Sequence, residues 1–378
     1  MNSVTSPNPR SLDVDDLARF DALVDRGATS MHGWHLHSVD LRERTEQLAR
    51  MTSAGAVFLG CRFAPGVEES LRSGGALIFP HLPGVPFEPY RGRLYTGKEL
   101  YAGVENSTYE QTPDARIYQW SLQEGMNRSL DATLATAMHD HAIGDALEQA
   151  LRDGELSGRR TVGVMGGHVA ARGSRNYDDA ARLGRLLARH GYLVATGGGP
   201  GAMEAANLGA YLSAHDDGVL AAALAELAVV PGFRPSISAW ARAADAVVDR
   251  YPDGVTSLGI PTWFYGHEPP NLFATHIAKY FANAIREAVL LARCDGGIVF
   301  LPGAAGTVQE IFQDACENYY AAPETVAPMV LVGERHWRQE LPVWQLMQRL
   351  AAGRPMEGHV YCVDTVEEAV GVLAEVAS

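Results

Sequence analysis

Beyond residue 160 the hydrophobic positions keep one rhythm. Short continuous apolar runs alternate with longer stretches in which apolar residues recur every three to four positions. The short runs predict strands at 160–165, 192–196, 258–265, 297–301, 328–332 and 359–363. The longer stretches predict helices at 177–190, 202–213, 271–292, 307–319 and 365–376. Apolar strands separated by helices call for a parallel sheet covered on both faces, a doubly wound Rossmann-like α/β fold. Ligands of such folds sit at the carboxyl ends of the strands. Here those ends carry glycine: Gly166-Gly167, then the run 197–201, then the run 302–306.

The first part of the chain is less regular. Helices are expected at 12–26, 42–51 and 67–72, and strands at 54–60 and 76–80, making one small β-α-β unit. A Pro/Gly/Tyr-rich stretch, 81–101, leads into a helix-rich connection that ends near 151. The polar segment 153–160 (DGELSGRR) is the best domain boundary. The organisation expected is an accessory α/β domain over 1–157 and a nucleotide-binding, catalytic domain over 158–378. No internal repeat or low-complexity tract is visible, and the polar start is expected to be mobile to about Ser11.

Composition narrows the chemistry. At 378 residues the chain exceeds what one core usually uses, and 47% hydrophobic with 20% charged residues is ordinary for a globular protein. A formal net charge of -14 argues against nucleic acid as a partner. It is compatible with a small anion held by a local loop. No stretch reads as a signal peptide or a membrane span, so neither a membrane partner nor export is expected, and the location expected is cytoplasmic. Four scattered cysteines, with no CxxC, fit thiols in a reducing compartment. Lysine occurs only at Lys98 and Lys279.

Two glycine loops carry the chemistry. In 196–207 (TGGGPGAMEAAN), glycines end a strand and Pro200 suits a helix start, so the helix amides and dipole face the loop. Without a ligand this is a tight turn, with Glu204 only complementing the dipole. In 302–310 (PGAAGTVQE), Thr307 either caps the helix, with Glu310 completing a T-x-x-E capping box, or bonds a phosphate oxygen. Glu310 lies on the same side as Thr307, at i+3. A carboxylate beside a phosphate cradle suits ribose hydroxyls or developing positive charge. Arg286, in the preceding helix, reads either as a surface residue or as a site arginine. His168 follows Gly166-Gly167 and is a candidate pocket residue. The run 263–268 (WFYGHE), Phe273 and Tyr280 are candidates for stacking on a base, with core packing the alternative; His139 and His141 read as surface residues.

The paired motifs resemble the signatures of the LOG ("Lonely Guy") phosphoribohydrolases, often mislabelled lysine decarboxylases. VGVMGGH (162–168) and EPPN (268–271) further resemble the long bacterial branch, the nucleotide 5′-monophosphate nucleosidases. The resemblance covers roughly 160–320. It implies hydrolysis of the N-glycosidic bond of a nucleoside 5′-monophosphate, without metal or organic cofactor, in a homodimer or larger homo-oligomer. It also implies roles. Glu310 and Arg286 would be catalytic. Gly166, Gly167, His168, Gly198, Gly199, Gly201, Met203, Glu204, Gly303, Ala304, Gly306 and Thr307 would hold the substrate. Two positions depart from the pattern. Ala304 stands where the family's PGG has its second glycine, and Arg286-Glu287 replaces an Arg-Lys pair, one residue out of step. The decarboxylase label fails on lysine, since neither Lys98 nor Lys279 falls on a phosphate loop to form a Schiff base. The alternative function is a non-catalytic carrier that binds a nucleotide or nucleotide-like cofactor on the same fold.

Overall fold

A computed structural model describes residues 12–125, 128–264 and 268–377. The tail expected to be mobile, 1–11, lies outside the described residues. The chain forms two compact units, Met1–Leu94 with Leu122–Leu147, and Tyr95–Ser121 with Glu148–Ser378.

The first unit is built on a four-stranded parallel sheet, β1 (Leu12–Val14), β2 (Trp34–His37), β3 (Val57–Leu59) and β4 (Leu77–Phe79), in sequence order. Helices α1 (Leu17–Asp25), α2 (Thr45–Arg50) and α3 (Val67–Ser73) connect them. Two of these strands were not expected. The expected helix over 12–26 begins only at Leu17, because Asp16 caps it, its carboxylate accepting from Arg19 N–H at 2.7 Å. The residues before the cap pair with β2 instead.

The sheet also exposes a repeat that the sequence hid. Asp13 pairs with His35, His35 with Val57 and Val57 with Leu77, steps of 22, 22 and 20 residues. A left-handed glycine (Gly33, Gly55, Gly75) precedes each of β2, β3 and β4. Val14, Leu36, Phe58 and Ile78 stack as one buried row. This is the strand-plus-helix step of a solenoid. Its strands are too short to show a period, and only burial and the glycines recur.

In the second unit come α4 (Gly97–Leu100) and most of α5 (Pro113–Glu124). The long α6 (Leu130–Arg152) is divided between the units at Leu147. A seven-stranded, wholly parallel sheet follows, in the order β11-β10-β9-β5-β6-β7-β8. Its strands are β5 (Thr161–Met165), β6 (Leu193–Thr196), β7 (Leu258–Gly259), β8 (His276–Ile277), β9 (Gly297–Phe300), β10 (Met329–Val332) and β11 (Val360–Val363). Helices α7 (Arg175–Arg189), α8 (Ala202–Tyr211), α9 (Asp217–Leu227), α10 (Ile237–Arg250), α11 (Asn283–Ala292), α12 (Ala305–Tyr320), α13 (Val343–Ala351) and α14 (Val366–Ala377) join them. This is the Rossmann-like, doubly wound α/β fold that the alternation predicts. The chain winds outward from β5 through β6, β7 and β8, then returns to β9 on the other side of β5. The crevice of such a sheet opens at that reversal, beyond the ends of β5 and β9.

One expected helix is half strand. Within 271–292 only Asn283–Ala292 is helical, and His276–Ile277 pairs with β7. A short apolar run buried on both faces has no period to separate strand from helix. The α7–α8 crossing is too close for a side chain at either glycine. A Cβ on Gly209 would lie 1.8 Å from the Ala181 carbonyl oxygen, and one on Gly184 2.0 Å from that of Ala206. Gly209→Ala is therefore expected to cost about 2 kcal/mol or more. Urea unfolding would measure it, and a loss under about 0.5 kcal/mol would contradict this packing. Among the described residues no helix is long and apolar enough to cross a membrane.

Candidate functional site

Three loops meet beyond the adjacent strands β9, β5 and β6. At the end of β5, a Cβ on Gly166 would stand 3.0 Å from Ala202 Cβ and 3.1 Å from Leu301 Cβ, so the other two loops converge there. Gly201 opens α8 with φ 74°, and a Cβ on it would lie 2.6 Å from the carbonyl oxygens of Gly167 and His168. Both conformation and space demand glycine. Ala202 N–H donates to Gly167 O at 3.2 Å, joining the first two loops. Met203 lies over the β6 loop, its Sδ and Cε 2.8 and 2.9 Å from where a Cβ on Gly197 and Gly199 would sit.

A buried polar network holds this loop. Thr196 Oγ1 donates to Asn207 Oδ1 at 2.7 Å and accepts from Gly198 N–H at 2.9 Å. Asn271 N–H donates to Gly198 O at 2.8 Å, and its Nδ2 to Asn207 Oδ1 at 3.0 Å and Gly199 O at 3.2 Å. Asn207 and Asn271 are fully buried. They are the last residues of TGGGPGAMEAAN and EPPN, so those motifs end on positioning groups. Buried amides with every partner satisfied specify one geometry.

The third loop delivers the start of α12. The first residue of α12 is Ala305, and the residue before it, Ala304, makes no side-chain cap. The capping-box reading of T-x-x-E is thereby corrected, since Thr307 is the third residue inside the helix. It faces Gly303, where a Cβ would come within 2.1 Å of Thr307 Oγ1. The amides of Ala305, Gly306 and Thr307 precede the first intrahelical bond, Val308 N–H to Ala304 O. Amides left free in this way suit an anion. Nothing lies within 4 Å of a Cβ placed on Gly306. Ala304 has φ -116°, so no left-handed backbone demands glycine at this position.

Past these amides lie the charged groups. Glu310 Oε1 is 3.8 Å from Arg286 Nη1, and each side chain is at most 16% exposed. The one-residue offset of Arg286 thus does not keep the two apart. Burial pushes the Glu310 carboxyl up to about 7, against the pull of Arg286 and with help from Glu287 and Glu268. Arg286 is itself held: Nη2 donates to Asn283 Oδ1 at 2.8 Å. Glu287 accepts from Asn283 Nδ2 at 2.7 Å and from Gln309 Nε2 at 2.6 Å. Arg286 Nε is buried and has no hydrogen-bond partner among the described residues. Glu268 lies near Gly199 and 3.4 Å from His168 Nδ1. Three carboxylates repel a phosphate, so this end suits sugar hydroxyls and positive charge, while the helix start suits the anion. Sequence reasoning missed Glu268 and Glu287 as site groups. Glu268 did fall inside EPPN, but Glu287 registered only as a departure.

Several candidates lie elsewhere. Glu204 is not at the pocket edge: its carboxylate is 1% exposed and paired with Arg172. Lys279 is not on a helix but in the extended segment after β8, buried, 2.6 Å from Asp114. Burial lowers its pKa. Trp263, Phe273 and Tyr280 are core residues, Phe264 is exposed, and 265–267 lie outside the described residues; Trp263 Nε1 donates to Asp114 at 2.9 Å. His139 is wholly buried beside Phe87, not on the surface, whereas His141 is exposed.

Residues 159–222 match the model of the SLOG cluster4 family, part of a superfamily that includes LOG-like proteins. The match spans β5, the β6 loop and α8, and stops before Arg286 and Glu310. No curated protein matches the chain. Among solved structures, the molybdenum cofactor binding protein of the phototrophic bacterium Rippkaea orientalis is 17% identical, covering 58% of this chain and 99% of its own, with a TM-score of 0.35. The molybdenum cofactor carrier protein of Chlamydomonas reinhardtii is 17% identical, covering 58% of this chain and 100% of its own, with a TM-score of 0.37.

Proposed function

We propose that the second unit hydrolyses the N-glycosidic bond of a nucleoside 5′-monophosphate, releasing base and ribose 5-phosphate. The observation that carries this reading is Glu310 beside Arg286, one turn past the uncapped amides of α12. With a rise of about 1.5 Å per residue, Glu310 lies about 4.5 Å further along the helix than Thr307. A phosphate on the amides of Ala305, Gly306 and Thr307 would lay its ribose over the carboxylate. As the base departs with its electron pair, positive charge grows on the sugar ring, and ionised Glu310 stabilises it. Water then bonds to the anomeric carbon and loses its proton, while the departing base gains one. Arg286 is positioned to bind phosphate or the reacting ribose, and binding energy from the phosphate holds the scissile bond in place.

The test is incubation of the purified protein with AMP, GMP, IMP, CMP and UMP, followed by chromatography for free base. Release from at least one is expected. Thermal stabilisation by a nucleotide without release would favour the carrier reading. Neither release nor stabilisation would overturn both.

A further inference from the structure

We propose that the first unit carries a divalent transition-metal site formed by Asp13, His35 and Asp145. One ligand atom from each lies within 4.8 Å of the other two. They come from β1, β2 and α6, and Asp145 is far from the others in sequence, so no spacing motif announces them. The sheet explains the first pair. Asp13 and His35 are register partners, and the strand alternation turns them away from the core row of Val14 and Leu36. Asp145 belongs to the part of α6 that packs in the same unit.

Two details favour a metal over a plain ion-pair cluster. His35 Nδ1 stands 3.8 Å from Asp13 Oδ1, too far for a hydrogen bond. Ligands bound to one ion at about 2.0–2.2 Å lie roughly 3–3.5 Å apart, so this pair needs only a small closure around an ion. The second detail is His37. Its Nδ1 is 3.0 Å from the carbonyl oxygen of Tyr90, which can only accept, and its Nε2 is 2.9 Å from Asp13 Oδ1. His37 therefore orients Asp13 as an outer partner orients a metal ligand. Two carboxylates and one imidazole neutralise a dication and suit Zn²⁺, Mn²⁺ or Fe²⁺. The ion would tie α6 to the first strands of the sheet.

The full-length protein would be stripped with EDTA, dialysed, and titrated with ZnCl2 or MnCl2 in a calorimeter. One equivalent of at least one ion is expected to bind and to raise the melting temperature. Asp145→Asn and His35→Asn should each weaken binding tenfold or more. His141→Asn, an exposed change on the same helix, should leave it unchanged. Metal-free melting of Asp145→Asn at the parent temperature would show that the loss is of a ligand and not of the fold. Failure of both ions to bind the parent would overturn the proposal. So would parent-like affinity in Asp145→Asn and His35→Asn, which would mark the binding as adventitious.

Discussion

Glu310→Gln is expected to lower turnover roughly a hundred- to thousandfold, the usual cost of removing one charge-stabilising group. The same variant should stabilise the fold at alkaline pH. Nucleotide affinity should hold, because on the proposed reading the phosphate would rest on the α12 amides and not on this side chain. The stability gain follows from burial. The Glu310 carboxyl is raised from 4.5 to about 7, so the folded state binds its proton more tightly than the unfolded state. Its favourable contribution is complete below pH 4.5 and is lost as pH rises through about 7. Above that, the ionised carboxylate costs up to about 3 kcal/mol, which glutamine removes. Urea unfolding at pH 8 should show Glu310→Gln the more stable protein, with the advantage disappearing near pH 4.5. In the parent protein, kcat/KM for the proposed reaction should rise through about pH 7 as the carboxylate form accumulates. Unchanged turnover would sink the mechanism, and a variant less stable at pH 8 would show that Glu310 is not strained by burial.

Much of the second unit was legible because its sheet is parallel and buried. Runs such as 162–165 and 297–301 are apolar without interruption, and glycine follows each where the backbone must approach another loop. Glu310 and Arg286 were found through motif order, although α11 starts well after the expected position. Residues without a local pattern were missed. Leu12–Val14 and Trp34–His37 are strands only because their partners align in steps of 22 residues. Glu287 reads as a mismatch in sequence, and only the fold brings Asn283 and Gln309 to its carboxylate. The segment Tyr95–Ser121 joins the second unit through contacts far along the chain, among them Tyr101 Oη to Pro270 O at 2.6 Å.

Glu204→Ala is expected to cost about 3–5 kcal/mol, the usual result of leaving one member of a buried ion pair alone. The sequence placed Glu204 at the pocket edge, one turn into a phosphate-binding helix. The fold turns it to the other side of α8, where both its oxygens accept from Arg172 Nε at 3.2 Å. That guanidinium also donates to Trp240 O at 3.2 Å and lies 4.9 Å over the Trp240 ring. Removing the carboxylate would strand a charge that is 1% exposed. A substrate contact and a structural pair predict opposite signatures. The first would raise KM with stability intact; the second lowers stability and leaves KM unchanged in the protein that remains folded. A double-mutant cycle separates them. Arg172→Met combined with Glu204→Ala should recover much of the stability lost in Glu204→Ala, because no unpaired charge is left behind. A single substitution costing under about 1 kcal/mol while raising KM tenfold would return Glu204 to the substrate. The structure predicts the reverse, with the pair anchoring α8 so that its first turn meets the loops of β5 and β9.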